Sequence, residues 1–372
     1  MQPERTPPFR AEHIGSLLRP GTLREGFRRL HRGEIDEDGF RAIQDGCIRD
    51  AVAMQEAAGL EVVTDGEFRR TTYISHFVDS VDGLEFAPSS FRFYEDDGTS
   101  HEFVAPRTVA RLKRVKANSG EEFDFLKTVT GKTVKSTLPS PATMHFLAGA
   151  EDPPTDIYPD RDALFADLAQ TYREDIADLA SRGARYVQID DVPFAMLCDE
   201  SLRGQLAARG EDPEALVDGY IQLTNDALAD RPAGMTLGFH ICRGNLKGTW
   251  LSSGGYDVVA QKLFRQLDVD HFCLEYDTER AGDFGPLAAM PDDKGVVLGL
   301  ISSKLPLLED PAEIEARIAE ASRHIALDRL AVSPQCGFSS AVVGNPVSPE
   351  DQRAKLALVV DIAARVWPDP AG

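Results

Sequence analysis

Four residues of this 372-residue sequence have the types and spacing of a metal site. His240 and Cys242 stand two apart at the end of an apolar run, Met235 to Cys242, and on a strand such residues point to the same side. Glu275 lies near the end of a second run, His271 to Asp277, and Cys336 ends a third, Leu330 to Cys336. One imidazole, two thiols and one carboxylate are borderline-to-soft donors that suit zinc far better than magnesium or calcium. Two thiolates and a carboxylate against a dication leave a net charge of about −1, which would make a bound ligand thiolate electron-rich. Structural zinc usually closes with paired Cys-x-x-Cys knuckles, so ligands spread over three strand ends favour a catalytic site. A cysteine taken alone is more often a small buried hydrophobe than a ligand, and it is the convergence of four ligand types that carries the reading. Cys273, two residues before Glu275, falls in the core one layer lower, and Cys47 and Cys198 are assigned to packing.

Glu67 and Asp190 form a second feature, since an unpaired buried carboxylate is costly and implies a cationic partner. Two carboxylates near a zinc suit the ammonium of an amino-acid ligand, with the Ile14-Gly15-Ser16 backbone and hydroxyl available for its carboxylate. The alternative is an internal salt bridge to Arg69 or Arg243. Arg19, Arg243 and Asn245 are candidates for binding an anionic group.

These residues need elements that bring strand ends together. Short apolar runs recur eight times: Ala11 to Ser16, Glu61 to Glu67, Lys132 to Ser140, Tyr186 to Asp191, Met235 to Cys242, His271 to Asp277, Gly295 to Ser302 and Leu330 to Cys336. Between them lie helical patterns, for example Asp162 to Arg182 with Leu164, Leu168, Tyr172, Ile176 and Leu179 on one face, and Pro311 to Leu327. Eight alternating units predict an α/β fold, a (β/α)8 TIM barrel in one domain, with chemistry at the C-terminal strand ends. A doubly wound sheet is the runner-up, but no GxGxxG turn follows the first run. Residues 71–131 interrupt the repeat. Within them, Ser90 to Val104 reads as a hairpin around an Asp-Gly turn, followed by the basic stretch Arg111 to Lys116, above the barrel mouth as a lid or as a contact in a homo-oligomer.

The balance of 40 basic against 61 acidic residues, a net charge of −21, argues against nucleic acid or an anionic membrane as partner. Five scattered cysteines fit a reducing compartment, and no run approaches the roughly 18 apolar residues of a membrane span. The sequence reads as a soluble, cytoplasmic protein.

The set His13-Ile-Gly-Ser16, Thr64-Asp-Gly-Glu67, Val187-Gln-Ile-Asp190, His240-Ile-Cys242, Glu275 and Pro334-Gln-Cys-Gly337 resembles the catalytic half of cobalamin-independent methionine synthase, in its short single-barrel form. The likeness runs from about Ala11 to Val366. It implies a zinc-dependent methyltransferase of the 5-methyltetrahydropteroyltriglutamate–homocysteine type, with zinc held by His240, Cys242, Glu275 and Cys336. It also implies homocysteine, or a similar thiol, bound through Ile14, Ser16, Glu67 and Asp190, with Glu67 and Asp190 as catalytic residues. Coordination to zinc deprotonates a thiol while keeping it nucleophilic, and the product is methionine or a related thioether. The full-length enzymes carry a His after the seventh strand; here the stretch reads Leu300-Ile-Ser-Ser-Lys304. The methyl donor therefore stays open among a folate, methylcobalamin and a small methylated sulfur compound. Two other readings stay open as well, an epoxyalkane:coenzyme M transferase-like enzyme and a non-catalytic zinc-binding barrel.

Overall fold

The computed structural model describes residues 7–95 and 97–368. Its strands in chain order are β1 Val62–Val63, β2 Val81–Pro88, β3 Phe93–Tyr94, β4 Ser100–His101, β5 Val104–Arg114, β6 Thr133–Pro139, β7 Tyr186–Asp191, β8 Thr236–Ile241, β9 His271–Glu275, β10 Gly295–Ile301 and β11 Leu330–Pro334. Seven of them form one parallel sheet in the order β1-β6-β7-β8-β9-β10-β11. Every step but the first joins strands consecutive in sequence, which is barrel topology and not the reversing order of a doubly wound sheet.

The first expected strand, Ala11 to Ser16, is not a ladder strand. It occupies the eighth position through one parallel bridge, Ala11 to Val332, with Glu12 N donating to Val332 O at 2.9 Å. Farther along, its carbonyls turn to side chains. Lys135 Nζ donates to His13 O, Gln188 Nε2 to Ile14 O at 2.7 Å, and Thr64 Oγ1 to Gly15 O at 2.6 Å. Those groups are satisfied without strand pairing, so the ring closes with few ladder bonds. Lys135 also pairs with Glu12 at 3.1 Å, a fully buried ion pair in the barrel floor.

The helices wrap outside. Arg161–Ser181 starts one residue after Asp160, whose side chain accepts from Ala163 N, and it buries Leu164, Leu168, Tyr172, Ile176 and Leu179. Pro311–Ala321 ends earlier than its pattern predicts, although Ile325 beyond it is still buried. No described helix is long and apolar enough to cross a membrane.

Between β1 and β6 the predicted hairpin appears as β3 paired with β4, but it is the tip of a larger one. β2 and β5 pair antiparallel from Val81–Arg114 to Pro88–Val104. Most of the basic stretch expected to follow the hairpin therefore belongs to β5, where Arg114 pairs with Asp175 at 2.8 Å.

Candidate metal centre and transfer site

Strand register gathers the predicted ligands. His240 on β8 aligns with Cys273 on β9, which sets Glu275 two residues further along, level with Cys242. Cys336 follows two residues after β11 ends. One ligand atom from each of His240, Cys242, Glu275 and Cys336 lies within 4.8 Å of the others, and all four residues are buried. The two sulfurs are 3.4 Å apart, far beyond a disulfide bond of about 2.05 Å, and all five cysteines are free. A tetrahedral zinc with bonds of about 2.0–2.3 Å holds its donors roughly 3.3–3.8 Å apart, so the set fits after small side-chain rotations.

Two further details favour a cation. His240 Nδ1 lies 3.2 Å from the Cys273 carbonyl, which fixes the proton there and leaves Nε2 buried with no hydrogen-bond partner. Main-chain donors already serve the anionic groups, Arg243 N to Glu275 Oε1 at 2.8 Å and Gly244 N to Cys242 Sγ at 3.3 Å. The electrostatics carry the same message. Burial pushes Glu275 up to about 7. Burial would lower His240, but Cys336, Asp190 and Glu275 around it outweigh that and raise it to about 9. Without a metal, a proton is drawn into the cluster to offset its negative charge.

The cluster opens onto a cavity of about 350 Å³ at the C-terminal ends of the strands. His240, Cys242 and Cys336 line it, together with Ile14, Ser16, Glu67 and Asp190. Its upper wall is apolar, and Phe86, Phe93, Phe103 and Val104 come from the β2–β5 insertion. The insertion is tied down by Tyr94 N to Trp250 O at 2.7 Å and Trp250 N to Tyr94 O at 3.0 Å. Of the two roles expected for this segment, the cover over the barrel mouth is the one its contacts show.

Glu67 sits on a strained turn, with φ of 69° at Gly66 and 61° at Glu67 itself. Asp65 Oδ1 accepts from Glu67 N at 2.8 Å and holds that turn. The carboxylate accepts from Thr137 Oγ1 at 3.0 Å and lies 3.7 Å from Arg70, while its Oε2 is buried without a partner. Burial raises its pKa against the pull of Arg70 and Arg19. Asp190 accepts from Gln188 Nε2 at 2.7 Å and is pushed up by burial to about 7, with Glu67 adding to the rise and His240 opposing it.

The expected arginine roles need correction. Neither Arg69 nor Arg243 bridges Glu67; Arg69 pairs with Asp45 at 2.5 Å, and the cation near Glu67 is Arg70. Arg19 is no anion binder, because its guanidinium donates to Ser339 O, Ala341 O, Glu67 O and Arg70 O at 2.8–3.0 Å. Arg243 stacks over Tyr256, 4.5 Å from the ring centroid, with its three guanidinium nitrogens buried and without hydrogen-bond partners, and it does not line the cavity. Asn245 does line it, with Nδ2 donating to Gly337 O at 2.7 Å and Oδ1 left unpartnered. Cys273 packs with Ile14, Val297 and Ala331 in the interior, as its spacing predicts.

The catalytic-domain model of cobalamin-independent synthase matches residues 9–365. The chain belongs to the cobalamin-independent methionine synthase family. It is 39% identical over 367 residues to the uncharacterized protein YxjH of Bacillus subtilis, covering 98% of this chain and 96% of that one. The crystal structure of a putative vitamin-B12-independent methionine synthase from Listeria monocytogenes superposes with a TM-score of 0.76 at 32% identity, covering 98% and 99% of the two chains. The 5-methyltetrahydropteroyltriglutamate–homocysteine methyltransferase of Syntrophotalea carbinolica is 25% identical over 337 residues, which is 90% of this chain but 41% of that longer protein. Family membership makes the chain a methionine-synthase-like methyltransferase with the barrel fold of its relatives.

Sequence reasoning did not single out Tyr73, Arg70 or Gly337 as site residues. Tyr73 and Gly337 line the cavity, and Arg70, itself paired with Glu122, is linked to Glu67 through the Thr137 hydroxyl. Arg70, three residues after Glu67, was open to detection as a cation near a buried carboxylate. Nothing in the local sequence marks Tyr73.

Proposed function

We propose that this protein is a zinc-dependent thiol methyltransferase, one catalytic barrel with the 71–131 insertion as its cover, that methylates a homocysteine-like thiol. The observation that carries the reading is the shared cavity: three of the four metal-type ligands face the same space as Glu67 and Asp190. Zinc held by His240, Cys242, Glu275 and Cys336 would supply a Lewis acid that keeps the substrate thiol ionised at neutral pH.

The chain's own residues do the rest. Glu67 and Asp190 receive the substrate ammonium, whose charge returns Asp190 to its ionised form. Ser16, which lines the cavity with Ile14, receives the substrate carboxylate in this reading. The phenylalanine wall excludes water and presses the methyl donor against the thiol corner. The thiolate sulfur bonds the methyl carbon as the carbon–donor bond breaks, and the electron pair leaves with the donor.

The sulfonate-binding alternative loses its anchor, since neither Arg19 nor Arg243 reaches the cavity. The non-catalytic alternative predicts zinc without thiol binding. Metal analysis and turnover of wild type against Cys336→Ser test the proposal. One zinc per chain, with zinc and activity both lost in the variant, supports it; no stoichiometric zinc, or unchanged activity in the variant, overturns it.

A further inference from the structure

Among the described residues lining the cavity, five carry a buried polar atom with no hydrogen-bond partner: Glu67 Oε2, Thr72 Oγ1, Tyr73 OH, His240 Nε2 and Asn245 Oδ1. Glu67 and Asn245 offer acceptors there, and His240 Nε2 belongs to the metal cluster. Outside that cluster the unspent donors are the two hydroxyls, from adjacent residues of one segment. A buried hydroxyl without a partner is costly, and in a binding cavity the missing partner is a ligand atom.

Tyr73 is the better placed of the two. Tyr73 lines the same cavity as Cys242, Cys336, Glu67 and Asp190. The neighbouring Thr143 hydroxyl donates to Ser140 Oγ at 3.0 Å, since Ser140 Oγ itself donates to Asp191 at 2.6 Å, and it makes no hydrogen bond of good geometry with Tyr73 that a ligand atom would have to displace. Burial holds the Tyr73 phenol well above its usual range, so it is protonated at neutral pH and acts as a donor.

The segment is also held rigidly. Tyr73 N donates to Ser340 O at 3.0 Å, Val342 N to Thr71 O at 3.0 Å, and Thr72 bridges Ala341 antiparallel. Arg19 pins the chain on either side through Arg70 O and Ala341 O. The backbone that carries the phenol is thus fixed against residues 340–342.

We propose that Tyr73 is a substrate-contacting residue, and that its hydroxyl donates a hydrogen bond to the atom of the methyl donor that loses the methyl group. This inference rests on the methyl-transfer reading above. When the sulfur–carbon bond forms and the carbon–donor bond breaks, the departing nitrogen, sulfur or cobalt keeps the electron pair, and a departing nitrogen or sulfur, which gains a lone pair, is the acceptor Tyr73 lacks. The bond stabilises the developing charge on a departing nitrogen and passes it the proton as the carbon–nitrogen bond breaks, the phenol regaining a proton from solvent after release; a departing sulfur leaves as a neutral thioether and needs no proton. A hydrogen bond to a charged group is worth about 10- to 100-fold in rate.

The test compares zinc-loaded wild type with Tyr73→Phe, using homocysteine and three donors: a methylated folate, methylcobalamin and a methylsulfonium compound. Phenylalanine keeps the ring, so zinc content, melting temperature and homocysteine affinity should stay at wild-type values. The expected result is a kcat lower by about 10- to 100-fold with little change in the KM for homocysteine. The loss should be larger for an analogue of the accepted donor with a more basic departing atom. An active wild type whose Tyr73→Phe variant keeps its kcat, or loses thiol affinity instead, overturns this inference alone. A wild type that neither binds the thiol nor transfers a methyl group from any donor overturns the reading beneath it as well.

Discussion

Replacing Gly337 with alanine should impair the site while leaving the fold in place. A Cβ there would lie 2.0 Å from Ser16 Oγ, 3.1 Å from Ser16 Cβ and 3.2 Å from Ser16 N. The hydroxyl can rotate away, but the Cβ and the backbone nitrogen cannot. Ordinary contact is about 3.5–4.0 Å, so the two loops must part by roughly half an ångström even after that rotation. Overpacking of this size costs about 1–3 kcal/mol against a total stability of about 5–15 kcal/mol, and the chain still folds. The displacement falls on the metal corner, because Cys336 is the preceding residue and the Gly337 carbonyl holds both Asn245 Nδ2 at 2.7 Å and Ser303 Oγ at 2.9 Å. A misplacement of 1 Å costs on the order of 100-fold, so half of that predicts roughly a 10-fold loss in kcat/KM with weakened zinc retention. Steady-state kinetics, zinc content and thermal melting of Gly337→Ala read all three. Wild-type kcat/KM with unchanged zinc content would refute the claim that this close approach sets the position of Cys336.

Glu67→Gln should raise KM for a homocysteine-like thiol by about 10- to 100-fold while zinc content stays at wild type, measured by kinetics and metal analysis side by side. Lys135→Met leaves Glu12 buried without its cation and should cost about 3–5 kcal/mol in urea unfolding, with partial recovery in the double variant that adds Glu12→Gln. The metal-free protein should lose stability as pH rises. Burial holds Asp190, Asp191 and Glu275 near 7 in the fold against about 4 in an unfolded chain, so between those values the fold binds more protons and each rise in pH destabilises it. His240, at about 9 in the fold, adds a loss of the same sign between about 6.5 and 9. Zinc loading at pH 7 should then release protons, and melting curves across pH with and without metal check both statements.

The metal cluster was legible because strand geometry is simple. A two-residue spacing puts His240 and Cys242 on one side, and strand ends share one rim, so Glu275 needed only to end its strand and Cys336 to follow closely on the end of its own. Glu67 and Asp190 were found by the cost of burying a carboxylate. What escaped was decided by contacts distant in sequence. Tyr73 is placed by the antiparallel bridge of Thr72 to Ala341 and by its own bond to Ser340 O, far along the chain. Arg19 looked like an anion binder because its type is visible, whereas the carbonyls that occupy it are not. The Ala11 to Ser16 run has strand composition, yet Lys135, Gln188 and Thr64 side chains take its carbonyls in place of a neighbouring strand. Composition alone cannot show that exchange.

The central claim is that a thiol gains a methyl group at this cavity. Zinc-loaded protein incubated with homocysteine and, in turn, a folate, methylcobalamin and a methylsulfonium compound, each carrying a deuterated methyl group, tests it by product mass. The account predicts methionine bearing the intact labelled methyl from one of the donors, and none of it from Cys336→Ser. Stoichiometrically zinc-loaded wild type that yields no labelled thioether from any donor, or a variant that forms it as fast as wild type, would contradict the account.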